Sequence, residues 1–239
     1  MIPFTCLIAM TVLVAQEPGE AGAEEHGERM HPILTEVLFN IPPLEVGGDV
    51  NLDSLRSNTG DEFLELMNPH EVSINLKGYK ITDADRRFEP FLEFEFPELI
   101  VGPGETVVVF NGFRSDEIPG HDGTADEAPD EKNPHFNNAW VFRIDPSHGW
   151  QAFQNEADFV VLWSPDGEPI EAVEWGDKKS DLPRALRNRN IYSSSWEIEE
   201  SFQRIGTSSE WAPHTEIDGK YYSPGLVPSE RDARMQRRD

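Results

Sequence analysis

From Ile33 to Ile205 the chain is a succession of short apolar runs, each stopped within a few residues by Gly, Pro, Asn or Asp. That punctuation leaves little room for helices and predicts strands. Ile33-Leu34-Thr35-Glu36-Val37-Leu38-Phe39 is β-branched and aromatic, and residues 40–43 end it. Glu62-Phe63-Leu64-Glu65-Leu66 is closed by Asn68-Pro69, while 72–82 alternates through Ile74 and Leu76 and is broken at Gly78, the mark of a bulge or close backbone approach. Thr106-Val107-Val108-Val109-Phe110 is apolar on both faces, follows the turn Gly102-Pro103-Gly104, and is the best candidate for a central strand. Runs at 140–144, 158–163, 170–175 and 201–205 continue the pattern, with Ser164-Pro165-Asp166-Gly167 reading as a hairpin loop. Only 181–189 has helical composition; Pro183 confines it to one or two turns, with Asp181 as a candidate N-cap. Eight or nine short strands and almost no helix predict an all-β antiparallel sandwich or barrel.

Four regions organise the 239 residues. Residues 1–15 read as a signal peptide, because the run from Ile2 to Ala15 is long enough for its apolar part and too short to cross a bilayer as a helix. Residues 16–30 form a flexible acidic leader, 31–226 the β domain, and 227–239 a charged C-terminal tail. Cys6 lies in the first region, so the mature chain would carry no cysteine, no disulfide and no transmembrane segment. Two polar segments, 46–60 and 112–138, interrupt the strand rhythm, and loops of that length are functional or disordered.

Charge narrows the function. With 20 Lys and Arg against 45 Asp and Glu, the formal charge is -25, which argues against a nucleic-acid partner because phosphate recognition needs a basic stripe. The excess is local: 35 of the acidic residues and only 9 of the basic ones precede residue 178.

No catalytic residues stand out. The seven histidines form no His-x-His pair or zincin motif, and there is no Gly-x-Ser-x-Gly elbow or Walker loop. Ser193-Ser194-Ser195 reads as a loop. Calcium is the more plausible chemistry, with Asp122, Asp126, Glu127 and Asp130 as candidate ligands around Gly123. Their spacing does not fit an EF-hand, and a solvated, mobile acidic loop is the competing reading. Trp163, Trp175 and Trp211 each fall in or beside a strand-like run and read as core.

The order of these segments resembles the lamin tail domain, an immunoglobulin-like β-sandwich module that also occurs in bacterial extracytoplasmic proteins. Asp61-Glu62-Phe63-Leu64-Glu65-Leu66-Met67-Asn68-Pro69 and Ile74-Asn75-Leu76-Lys77-Gly78-Tyr79-Lys80-Ile81 carry the resemblance most specifically. Trp211 and Ser223-Pro224-Gly225 look like the family's closing signature. The resemblance implies an immunoglobulin-like antiparallel β-sandwich in which 46–60 and 112–138 are long loop insertions. Glu65, between two leucines, would accept hydrogen bonds from a loop backbone, with a metal-ligand role as the competing reading. The expected function is a non-catalytic secreted or cell-envelope module contacting a protein or glycan. The alternatives are a metal-dependent hydrolase of nuclease or phosphatase type and a calcium-dependent adhesion module.

Overall fold

The apolar runs become strands in a computed structural model that describes residues 30–83, 92–115, 117–144, 153–176, 182–186, 190–231 and 233. In chain order these are β1 Ile33–Leu38, β2 Phe63–Met67, β3 Ile74–Asn75, β4 Lys80–Thr82, β5 Glu93–Glu95, β6 Ile100–Val101 and β7 Thr106–Phe110. There follow β8 Trp140–Arg143, β9 Asp158–Trp163, β10 Pro169–Trp175, β11 Ile191–Ser194, β12 Phe202–Arg204, β13 Trp211–Pro213 and the short helix α1 Thr215–Asp218. They build an immunoglobulin-like β-sandwich: a six-stranded sheet in the order β13-β12-β1-β2-β7-β8, a five-stranded sheet β11-β10-β9-β4-β5, and a β3-β6 pair.

Three local expectations are corrected. The run 72–82 is split into β3 and β4 because Gly78, at φ +79°, turns the chain and sends Tyr79 into the core. Ser193 and Ser194 belong to β11, which pairs parallel to β10. The described residues 182–186 form a turn closed by the Leu186 N–H on the Pro183 carbonyl, while Asp181 lies outside the described residues. β7 and β8 are also parallel, so the sandwich is not antiparallel throughout. Parallel neighbours need a connection of about a dozen residues or more, and the insertion 112–138 supplies it.

Register explains why strands such as β1, β2 and β7 are buried on both faces. Phe202, Val37, Leu64, Val109 and Phe142 stand in one row across the six-stranded sheet and face the five-stranded sheet. The core between the sheets is dense in rings: Phe39 stacks on Trp175 at 4.2 Å, and Phe94, Phe96 and Phe142 meet edge to face. The adjacent row, Gln203, Glu36, Glu65, Val108 and Val141, points the other way. It is not solvated: Leu38, Phe63, Val108, Phe110 and Val141 pack beneath Ile41, Val50, Ile118 and Phe136 from the loops. The outer face of the six-stranded sheet is therefore a second core roofed by loops.

One ion pair ties the two sheets. Arg204 on β12 donates through Nη2 to Glu171 on β10 at 2.7 Å and through Nε to the Leu34 carbonyl at 2.6 Å, while Glu171 accepts the Leu34 N–H. The guanidinium also lies over the rings of Tyr192 and Trp211, at 4.6 and 5.0 Å. Removing one member strands the other charge in the interior. Arg204→Ala is expected to lower the unfolding free energy by about 3 kcal/mol in urea titrations.

Candidate functional site

Two carboxyl side chains with no solvent exposure sit on the roofed face. Glu36 and Glu65 are cross-strand partners, brought onto the same face by a bulge in β1 between Leu34 and Glu36. Glu65 accepts the Thr35 hydroxyl at 2.6 Å and the Gly225 N–H at 2.6 Å. Glu36 accepts the Ser201 hydroxyl at 2.5 Å and the Ser223 N–H at 2.9 Å. The two carboxyls thus hold Ser223-Pro224-Gly225 against the sheet, and the Thr106 hydroxyl and the Asn137 amide secure the carbonyls of Gly225 and Pro224. Gly225 is required there: φ is +88°, and a Cβ would collide with the Phe136 carbonyl. Burial and the neighbouring Glu36 push the Glu65 carboxyl well above its ordinary value.

The polar segment 46–60 is roofed in by a third acid. Asp61 is fully buried and accepts the N–H groups of Val50 at 2.7 Å, Asn51 at 3.0 Å and Ser57 at 2.6 Å. Asn51 reaches the Gly60 carbonyl and the Ser115 hydroxyl, and Arg56 grips the carbonyls of Ile41 and Pro42 at 2.7 Å each. So wired, the loop holds Leu52 and Ser54 at φ 63° and 73°, a region that costs a side-chain-bearing residue roughly 1–2 kcal/mol. Leu52 stands 44% exposed on one side of a groove of about 250 Å³, and Leu226, 42% exposed, lines it with Tyr222 and Pro224. Tyr222 also donates to the Gly47 carbonyl, which places the exposed Leu44 and Val46 beside the same end.

The strand-end motif closes in the same way. Asn68 is buried, exchanges backbone hydrogen bonds with Gly104 and Glu105 across the Gly-Pro-Gly turn, and donates its amide to the carbonyls of Val72 and Val101. Compared with models of known protein families, residues 47–177 match the Lamin Tail Domain. The chain belongs to the lamin tail domain family. Comparison with curated proteins finds no match. β1, β12 and β13 of this lamin tail domain lie outside the matched residues and are hydrogen-bonded into the same sheet as β2 and β7.

The calcium candidates of the domain are dispersed. Asp122 lies 3.2 Å from the Arg143 guanidinium, whereas Asp126, Glu127 and Asp130 are exposed. Asp122, Glu127 and Asp130 border a shallow groove of about 320 Å³, but among the described residues no three His, Cys, Asp or Glu side chains gather as a metal would need. The segment is built into the fold: Gly123 pairs parallel to Phe142 at the sheet edge, and the Asn133 amide donates to the carbonyls of Pro119 and His121. Trp175 is fully buried, while Trp163 and Trp211 are half-buried; Trp163 donates to the Thr82 hydroxyl, and Trp211 stacks between Tyr192 and Phe202.

Sequence reasoning missed Ser201, His214 and Asp218. The Ser201 hydroxyl lies 3.0 Å from His214 Nδ1, and Nε2 lies 3.2 Å from Asp218. The order suggests a nucleophilic triad, but Ser201 and His214 have no exposed surface and the hydroxyl donates to Glu36, so the cluster is a structural network. A histidine four residues before an acid at a helix start was the only available signal.

Burial pushes the Asp61 carboxyl up to about 6, with a further rise from Asp53, although its three backbone donors pull it down. A raised value means that the stability this group contributes is complete below its ordinary 3.8 and is lost as pH rises through about 6. The stability of the wild type relative to Asp61→Asn is therefore expected to fall by about 2 kcal/mol between pH 4 and 7, read from urea midpoints.

Proposed function

We propose that this lamin tail domain is a non-catalytic recognition module of the bacterial extracytoplasmic kind, which meets a protein partner through the loop-built apolar end of its sandwich. The observation that carries the reading is the groove between Leu52 and Leu226. Large apolar side chains that share an exposed end mark an interaction surface, and here the fold holds one of them in a strained backbone conformation. Loops on a rigid sandwich are where such modules recognise partners. The leucine lining favours an apolar protein segment over a glycan.

The run from Ile2 to Ala15 supports export, and the net charge of -25 supports a partner other than nucleic acid. Among the described residues no helix is long and apolar enough to cross a membrane.

A photo-activatable residue at position 52 or 226, installed in producing cells, is expected to give one discrete protein adduct. The same residue at Glu168, exposed in the β9-β10 hairpin loop, is expected to give none. Leu226→Ser should remove the adduct at position 52 without changing the melting temperature by more than about 2 °C. Equal labelling at 52 and 168 would contradict the reading.

A further inference from the structure

The groove wall of residues 220–226 is held by the carboxyls of Glu36 and Glu65, and a buried imidazole lies against the first of them. His214 sits between β13 and α1 with no exposed surface, and its backbone N–H donates to the Ser201 carbonyl. Its Nδ1 lies 3.2 Å from Glu36 Oε1 and 3.0 Å from the Ser201 hydroxyl oxygen. Its Nε2 lies 3.2 Å from Asp218 Oδ1. The Ser201 hydroxyl has one proton and donates it to Glu36, so Nδ1 must carry hydrogen to meet that oxygen. Nε2 is buried without a hydrogen-bond partner among the described residues and lies 3.2 Å from a carboxylate oxygen. The imidazolium sets a positive charge between two acids that each lie 3.2 Å from a ring nitrogen, and a neutral ring leaves them without it.

The charged groups facing this ring are Glu36 from β1, Asp218 from α1, and Lys220, whose ammonium lies 3.2 Å from Asp218 Oδ2; Glu65 from β2 is the cross-strand partner of Glu36. Glu200 binds the N–H and hydroxyl of Thr215. Two acids, Glu36 and Asp218, thus face one imidazole and one ammonium. Glu36 Oε2 is buried without a hydrogen-bond partner among the described residues, so the site has no spare donor to replace a lost one.

We propose that the groove is pH-sensitive: the wall formed by Tyr222, Ser223, Pro224 and Leu226 is held in place by the protonated imidazole of His214 between Glu36 and Asp218, and loosens when that proton leaves. This rests on the reading of the groove as the contact surface and adds its regulation. The direction agrees with the electrostatics. Burial alone would lower the His214 value, but Glu36 and Asp218 outweigh it and the value is raised above 6.5. Stability from a raised histidine is complete below 6.5 and lost as pH rises through its folded value. In a compartment that turns alkaline the module would release its partner, and in an acidified one it would hold it.

Hydrogen exchange tests this without any partner, so its failure is separable from failure of the groove reading, which the cross-linking above decides alone. After correction for the intrinsic base-catalysed rate, protection of the Ser223 and Gly225 amides should fall at least tenfold between pH 6 and 9 while the β7 amides keep theirs. The midpoint should coincide with the His214 ring titration followed by NMR. His214→Gln should abolish the transition, and His135→Asn, which removes the exposed histidine lining the groove, should preserve it. If His214→Gln does not fold, the coincidence of midpoints decides in the wild type. Constant protection across the range, or a midpoint that does not follow His214, would overturn the proposal.

Discussion

Glu36 and Glu65 stand side by side on adjacent strands, wholly buried, and between them accept the amide protons of Ser223 and Gly225. Taking a carboxyl out of water is costly, and two such groups in contact are costlier still. What offsets that cost is a set of fixed donors: two backbone N–H groups and the hydroxyls of Thr35 and Ser201. The consequence reaches across the molecule. With Ser223-Pro224-Gly225 pinned, the segment lies over β1, β2 and β7, Phe136 packs on Phe110, and the outer face of the six-stranded sheet becomes interior. A sandwich that would ordinarily have one wet face per sheet has that face covered on its larger sheet.

The same device recurs with Asp61, whose carboxyl gathers the N–H groups of Val50, Asn51 and Ser57. In both places a buried acid within or beside a strand fixes a loop by its backbone N–H groups. The loops are therefore precise supports, able to hold Leu52 at a positive φ in a groove that Leu226 also lines. Acidic residues in this lamin tail domain thus have two roles. Asp61, Glu36 and Glu65 are structural, while Asp126, Glu127 and Asp130 are exposed to solvent.

Much of the frame was legible because strand signals are local. The β-branched run at 106–110 and the Pro-Asp-Gly loop at 165–167 each carry their structure within a few residues, and both formed as expected. Glu65 was legible as a backbone acceptor because a charge between two buried leucines has few other options. What escaped was non-local. β11 is polar in Ser193 and Ser194 and is a strand only because β10 offers it an edge. His214 meets Glu36 across about three quarters of the chain, and no spacing rule encodes that contact. The groove is likewise made from three distant segments, around Leu52, His135 and Tyr222, each of which reads as merely polar or proline-rich.

The account stands on the contact between Glu65 and Gly225, in which the carboxyl acts as a hydrogen-bond acceptor with its charge dispensable. Equilibrium unfolding of two variants tests it directly. Glu65→Ala leaves the Gly225 N–H buried without an acceptor and is predicted to cost about 3 kcal/mol, whereas Glu65→Gln keeps an acceptor oxygen and is predicted to cost under about 1.5 kcal/mol. A cost below about 1 kcal/mol for Glu65→Ala, or equal costs for the two variants, would contradict the account.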